Sequence, residues 1–432
     1  MQPPDQASPA RAGRSGSRVR AAYASGSFVT GAFGTVPGLL MLPYLTDSLA
    51  VPAAVAGLLV LAPKAWDVLF NPVAGRISDR AGTRLPFLTG GGIALAALFA
   101  ALFAGPLTGG WAIAYVAVVF LGCATAFAFF QVPYVAMAAE ITDDYDERTR
   151  LMAWRMAFLA LAILVSGAGA PALRDAVGGY WVVGVAVGAL MLVGTLVTVA
   201  GMRRVPAAIR PTAEATPREL LRVVRGSRVF RLLLAVFVVQ AVGLGTMLAG
   251  VDYFARLVLA DPGAQTALFV GFVGPALVVM PLWQRVGARR GKRFGLLVAS
   301  LLFGAAAAGL AASRSLPTVG VFALMAVVGV GYAGMQVFPL AMLPDVISAE
   351  EKASGTARAG LFAGVWTAGE TLGLALGPGV YGLVLAVGGY VASSGGAEQP
   401  PGAVTAALIG FTALPAVLAV IALPLLPRET ST

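Results

Sequence analysis

Asp67 stands in an apolar stretch, with Lys64 three residues before it and Asn71 four residues after. At helical spacing the three share one face. A carboxylate so placed can carry a proton or hold a coupling cation, with Lys64 as its charge partner. The other reading is a buried ion pair that only fixes helix packing. Glu370 is a second carboxylate in an apolar run, with Thr371 beside it and no cation near it in sequence. It is either a second coupling group or a hydrogen-bonding member of a helix bundle. Arg155 can meet an anionic group of a solute or pair with Asp67, or it can snorkel to the surface. Gln131, Tyr134, Gln336 and Trp366 complete the candidate contacts for a solute, although Tyr134 and Trp366 serve packing equally well. Neither a His-based relay nor a catalytic triad is open to these residues, because the chain has no His and a single Cys, Cys123. A metal site and an internal disulfide are excluded on the same ground. No enzyme activity is expected, and no cofactor beyond a coupling H⁺ or Na⁺.

The elements that carry these residues follow from composition. Of 432 residues, 58% are hydrophobic and 12% charged, about half the charge of a soluble domain. Mean hydropathy is +0.85. A membrane-spanning helix needs about 20 apolar residues, and long apolar runs predict twelve: 24–46, 53–78, 86–105, 111–139, 151–172, 180–201, 229–252, 265–285, 293–312, 317–343, 354–389 and 403–426. The first is read as a retained helix and not a signal peptide. At 1.5 Å per residue Asp67 lies about 16 Å from the loop after its helix, near mid-membrane. Glu370 lies at similar depth, and Arg155 is about 8 Å inside Arg150. Charges at such depth cost a few kcal/mol, so each is a functional candidate.

Charge also sets orientation. Of the thirty Lys and Arg, Lys64 and Arg155 fall inside helices and Arg174, Arg256 and Arg314 fall in one set of loops. The remaining twenty-five lie in the tails and the opposite loops, which predicts both termini in the cytoplasm. This distribution fits membrane topology better than a nucleic-acid partner. The Pro-broken, Arg-rich stretch 202–228 is read as a cytoplasmic linker. It separates six-helix bundles at 24–201 and 229–427, with tails at 1–23 and 428–432. The halves repeat. Residues 71–88 align with 280–297 at an offset of 209, matching Pro72/Pro281, Arg76/Arg285, Arg80/Arg289, Gly82/Gly291 and Arg84/Arg293. At an offset of 205, Gln131/Gln336 and Glu140/Asp345 coincide at the ends of equivalent helices. Two parallel six-helix repeats make an all-α membrane protein of the major facilitator type.

Three stretches carry a family likeness: KAWDVLFNPVAGRISDRAGTRLPFL (64–88), QVPYVAMAAEITDDYDERTRLMAWR (131–155) and AMLPDVISAEEKASGTARAGLFAGVW (341–366). Together the chain resembles the glycoside–pentoside–hexuronide:cation symporters. That resemblance implies alternating access and cation-coupled uptake in the fold already argued. It also marks departures. The family's acidic sugar-binding position in helix 1 falls on Gly31. A second cation-site carboxylate falls on Asn71, the acid before V-P-Y on Gln131, and a helix 11 Lys on Thr371. Of the cation-site carboxylates only Asp67 has a match.

Polar clusters at the predicted cytoplasmic surface (Asp79, Arg80, Arg84, Glu140, Arg148, Asp345 and Arg358) can pair in one state and part in another, as an inner gate must. Otherwise they serve topology and lipid contact. Asp252, with Tyr253 and Arg256, is either an outer gate or a solvated helix end. The function expected is cation-coupled symport of a sugar- or glycoside-like solute. The alternative is proton-coupled export of an amphipathic metabolite or drug, motivated by the lost cavity carboxylates. The partners expected are a small solute and membrane lipid, for a monomer in a bacterial-type inner membrane.

Overall fold

A computed structural model describes residues 16–105, 110–142, 144–203, 224–354 and 359–426. Arg358 and most of the 202–228 stretch lie outside the described residues. All the regular structure described is helical. The spans are α1 (Ser17–Ser48), α2 (Ala53–Arg80), α3 (Leu85–Leu102), α4 (Gly110–Ile141), α5 (Tyr145–Val177), α6 (Tyr180–Met202), α7 (Arg228–Val258), α8 (Ala264–Val278 with Met280–Arg290), α9 (Lys292–Ser315), α10 (Thr318–Ser354), α11 (Ala359–Val387) and α12 (Pro401–Leu425). Eleven are long and apolar enough to cross a membrane, and α8 makes twelve if its two pieces, bent by 48°, are one span. The bend falls between Pro275 and Pro281; proline removes a helical donor and clashes with the preceding turn.

Several helices outrun the apolar stretches that announced them. Helix α5 begins six residues before 151 and continues to Val177, and α10 continues past 343 to Ser354. Asp144 caps α5, its side chain accepting from the Asp146 amide at 3.0 Å. Polar turns at a helix end are invisible to a hydropathy reading but cost little where the end meets headgroups or other protein. Arg174 and Arg256, assigned to loops from sequence, therefore lie on α5 and α7.

The end holding loops α2–α3, α4–α5 and α8–α9 is called the basic end below, and the other the far end. The first helix of each half closes at the far end in the same way. A π-helical turn, Tyr44–Ser48 in α1 and Phe254–Val258 in α7, is followed by an alanine in the left-handed region, Ala50 and Ala260, both at φ 54°. The bonds match too: Val51 N–H to Leu45 C=O at 2.9 Å and Asp261 N–H to Ala255 C=O at 3.0 Å. A side chain with Cβ pays for this conformation, so its recurrence marks a built feature. It is the repeat seen again in backbone form.

The halves meet through α1 with α7, α2 with α11 and α5 with α8. The α2–α11 crossing needs glycine: a Cβ on Gly382 would lie 2.4 Å from the Ala53 carbonyl, and one on Gly57 would lie 2.9 Å from that of Pro378. A Cβ on Gly167 would meet the Phe269 ring at 2.2 Å. These approaches are at the far-end portions of the helices, so the halves are closed together there.

Candidate functional site

Two polar constellations lie inside the bundle, one per half, and a third joins the halves at the far end. In the N-terminal half, α2 presents Asp67, which is 4% exposed. Its Oδ2 lies 3.9 Å from Lys64 Nζ, a loose pair, and its Oδ1 has no hydrogen-bond partner. The Lys64 ammonium sits 4.9 Å from the centroid of Phe33 and 6.0 Å from that of Phe127. The aromatic faces hold the ammonium where it cannot fully satisfy the carboxylate. Asn71, one turn on, also leaves its buried Oδ1 without a partner. The open carboxylate oxygen can take a proton, and the open amide oxygen one turn away on the same face is a further acceptor for a small cation.

The other N-terminal candidates divide. Gln131 on α4 accepts from Thr30 on α1 at 2.6 Å. Tyr134 is fully buried, stacked on Tyr23 at 4.8 Å, and the two phenols bond each other's backbone carbonyls at 2.9 and 3.2 Å. One face is thus taken and the hydroxyl is satisfied, so Tyr134 is not free to stack on a solute. Arg155 lies over the Tyr134 ring at 5.3 Å and, among the described residues, makes no ion pair; it does not reach Asp67.

Gly31 explains one departure from the family pattern. A Cβ there would lie 2.6 Å from Ala162 Cβ and 3.3 Å from the Leu159 carbonyl of α5. Helices α1 and α5 cross too closely to admit a carboxylate. Gly31→Asp should therefore lower stability by about 1–3 kcal/mol, the usual cost of overpacking, without creating sugar affinity. Thermal unfolding and sugar binding measured on the same sample check this. A stable variant that binds sugar would reverse the reading.

In the C-terminal half, Glu370 on α11 accepts from Gln336 Nε2 on α10 at 3.3 Å. Gln336 is the repeat partner of Gln131, so equivalent amides serve both halves. Glu370 and Gln336 line a narrow cleft with Phe237, Gln240 and Tyr332, which in this conformation has room for about one water. Thr371 is half-buried beside them. Trp366 is 2% exposed and stacked on Phe237 at 4.4 Å. One ring face is thus occupied, while the buried indole N–H has no hydrogen-bond partner among the described residues.

The basic-end residues pair within their own halves. Arg84 bonds Asp79 at 2.8 Å and Glu140 at 2.7 Å. Lys292 bonds Asp345 at 2.5 Å and the Ala341 carbonyl at 2.9 Å. Lysine thus takes the role at 292 that the repeat alignment gives to Arg293. Arg148 donates to the nearby Thr142 carbonyl at 3.1 Å, and Arg80 is exposed.

At the far end charge ties the two halves together. Asp252 is 0% exposed and receives Arg174 of α5 at 2.7 Å and Arg256 of its own helix at 2.7 Å. Arg256 reaches on to Asp47 of α1 at 2.5 Å, which Tyr390 also bonds at 2.5 Å. Arg174 further donates to Gln265 of α8 at 3.1 Å, and Thr46 bonds Tyr253 at 2.7 Å. Asp47 and Arg256 come from the two π turns, so the repeated backbone device positions both sides of the contact. Gln399 holds Tyr390 in place by bonding both the amide and the carbonyl of Val391, at 2.9 and 2.8 Å. Burial pushes the Tyr390 phenol above its ordinary value and the Asp47 carboxylate adds to the rise, so the phenol stays a donor. Asp252, Tyr253 and Arg256 are therefore not a solvated helix end. The sequence reading missed Asp47, Arg174, Gln265, Tyr390 and Lys292. Its one available signal was that two of three basic residues assigned to far-end loops sat within reach of acids.

A family profile described as MFS/sugar transport protein matches residues 22–428. An uncharacterized symporter of Synechocystis sp. is 24% identical over 92% of this chain and 91% of its own length. A glucuronide carrier protein homolog of Escherichia coli (strain K12) is 24% identical over 87% of this chain and 85% of its own. Among solved structures, a mutant form of the nucleoside transporter NupG matches with a TM-score of 0.72 at 14% identity, covering 95% of this chain and 99% of that one. At that identity the match speaks for the fold.

Proposed function

Since the chain belongs to the MFS/sugar transport protein family and is a membrane transporter, we propose that it couples movement of a small, sugar- or glycoside-like solute to a cation carried at Asp67. One observation carries this reading: a buried mid-span carboxylate with one oxygen unpartnered and the other only loosely held by Lys64. A fully satisfied structural pair would leave no such vacancy, because unpaired buried polar atoms cost free energy. The names of the relatives, a symporter and a glucuronide carrier homolog, favour symport over export.

Alternating access assigns the remaining parts. The far-end network is the outer gate, closed in this conformation. Its ion pairs cross between halves, so they must break when the far end opens. The Arg84–Asp79, Arg84–Glu140 and Lys292–Asp345 pairs each brace one half. The basic end is taken as cytoplasmic, with both termini on that side and the protein in an inner membrane of bacterial type.

Purified protein in liposomes containing a pH dye tests the reading. A panel of sugars, glycosides and amphipathic solutes is offered under an imposed H⁺ or Na⁺ gradient. At least one solute should accumulate against its own gradient under one of the two. Flux of every transported solute indifferent to both gradients refutes coupling.

A further inference from the structure

Among the described residues, the polar constellation of the C-terminal half has no counterpart charge. Glu370 lies eleven residues into α11, about 16 Å from its basic-end start. Its described partner is the neutral Gln336 amide, and no cation among the described residues pairs with it. In the other half Lys64 is held beside Asp67 and Arg155 over Tyr134. A carboxylate at this depth is neutralised either by taking up a proton or by a cation that enters from outside the protein.

The walls of the cleft bear on which. Gln240 is 4% exposed and donates to Ser300 at 2.8 Å and to the Ala419 carbonyl at 3.5 Å. That carbonyl accepts only, which turns the amide oxygen the other way, and this oxygen is buried with no partner. The cleft thus offers the Glu370 carboxylate beside the aromatic side chains of Phe237 and Tyr332, with Gln240 in the same wall. Acceptors with aromatic rings favour an ammonium, which donates to the first and is attracted to the faces of the second. They repel a carboxylate or phosphate, and a neutral hydroxyl supplies no positive charge, so it leaves neutralisation to a proton taken up by Glu370.

We propose that this cleft binds a protonated amine of the transported solute, with Glu370 as its counter-ion, so that the substrate is an amine-bearing solute such as an amino sugar. The proposal rests on the transporter reading and names its substrate class. Asp67 carries the coupling ion and Glu370 the solute, a division of labour between the halves.

The test uses the full-length purified chain and matched probes: glucosamine against glucose, and N-methylglucamine against sorbitol. Shifts in Tm report binding, and counterflow in liposomes reports transport. At least one amine should bind at least tenfold more tightly than its neutral partner. Glu370→Gln should erase that preference while its Tm without solute stays near wild type. Should Glu370→Gln fail to fold, Glu370→Asp serves: it retains the charge at shorter reach and should weaken the preference without abolishing it. Equal binding of amine and neutral partners, no binding by any amine, or a preference that survives Glu370→Gln overturns the proposal. So does a Glu370→Gln effect that is equal for every solute, the mark of a proton carrier. Amine binding with no counterflow would sink the transport reading and leave the site standing. Counterflow of neutral solutes without amine preference would do the reverse.

Discussion

Asp67→Asn should reduce uphill accumulation of the transported solute to equilibrium, with the ratio of internal to external concentration falling to about one. Solute exchange down a gradient should persist to within about tenfold, or about 1.4 kcal/mol. The asymmetry follows from what the amide changes. It keeps the size and hydrogen-bonding capacity of the side chain but cannot take up a proton or neutralise a cation. A solute site elsewhere in the cavity is left intact. Were the Lys64–Asp67 contact only a packing device, the outcome would differ: the loose pair would lose stability on mutation, and surviving protein would still accumulate solute. Tm and accumulation measured on one preparation separate these cases. Lys64→Ala sharpens the test. It removes the ammonium 3.9 Å from the carboxylate and leaves a buried charge without its resident partner, so coupling should change in ion preference or apparent affinity before exchange is lost.

The second large effect belongs to the far end. Asp252 is the shared acceptor of two guanidiniums from different halves. Asp252→Asn leaves Arg174 without a charged partner across the interface and Arg256 with Asp47 alone. Breaking one side of a buried ion pair costs about 3–5 kcal/mol, and here much of that cost is relieved by opening the far end to water. The open state should gain population by about a hundredfold or more. The chain is suited to the measurement, because its one cysteine, Cys123, is buried. Met247→Cys places a second thiol beneath the network, in the apolar layer with Leu39 and Phe269. An impermeant maleimide added from the far side should label it about a hundredfold faster in the Asp252→Asn background. Asp47→Arg alone, which breaks the other cross-half pair, should also speed labelling, and adding Arg256→Asp restores that pair and should return part of the slow labelling. A lowered Tm with unchanged labelling would mean the network stabilises the fold and gates nothing.

The legibility of these two sites in the sequence differs for a physical reason. Asp67 and Glu370 announce themselves because a charge within an apolar span is a local anomaly, readable within a window of about 20 residues. The same locality made the twelve spans, the repeat at 71–88 and 280–297, and the basic-end charge excess visible. Helix boundaries were less visible. The apolar run of α5 stops at 172, yet the helix reaches Val177, because Arg174 is covered by the other half and does not need a hydrophobic neighbourhood of its own.

The cross-half contacts could not be read from spacing. Asp47 and Tyr390 are 343 residues apart, and Arg174 and Asp252 are 78 apart. Their meeting depends on how six helices of one half rest against six of the other. Gly31 was legible as a missing acid and only tertiary structure made it a close crossing of α1 and α5. Tyr134 looked equally suited to a solute and to packing, until a stacked ring and hydrogen bonds to its hydroxyl occupied it. The sequence by itself determined the spans, their repeat and the buried charges, since each is a property of a short stretch against its solvent. Tertiary structure decided which charges meet, which aromatic faces are taken and which end is shut, since these depend on contacts between segments that no local pattern encodes.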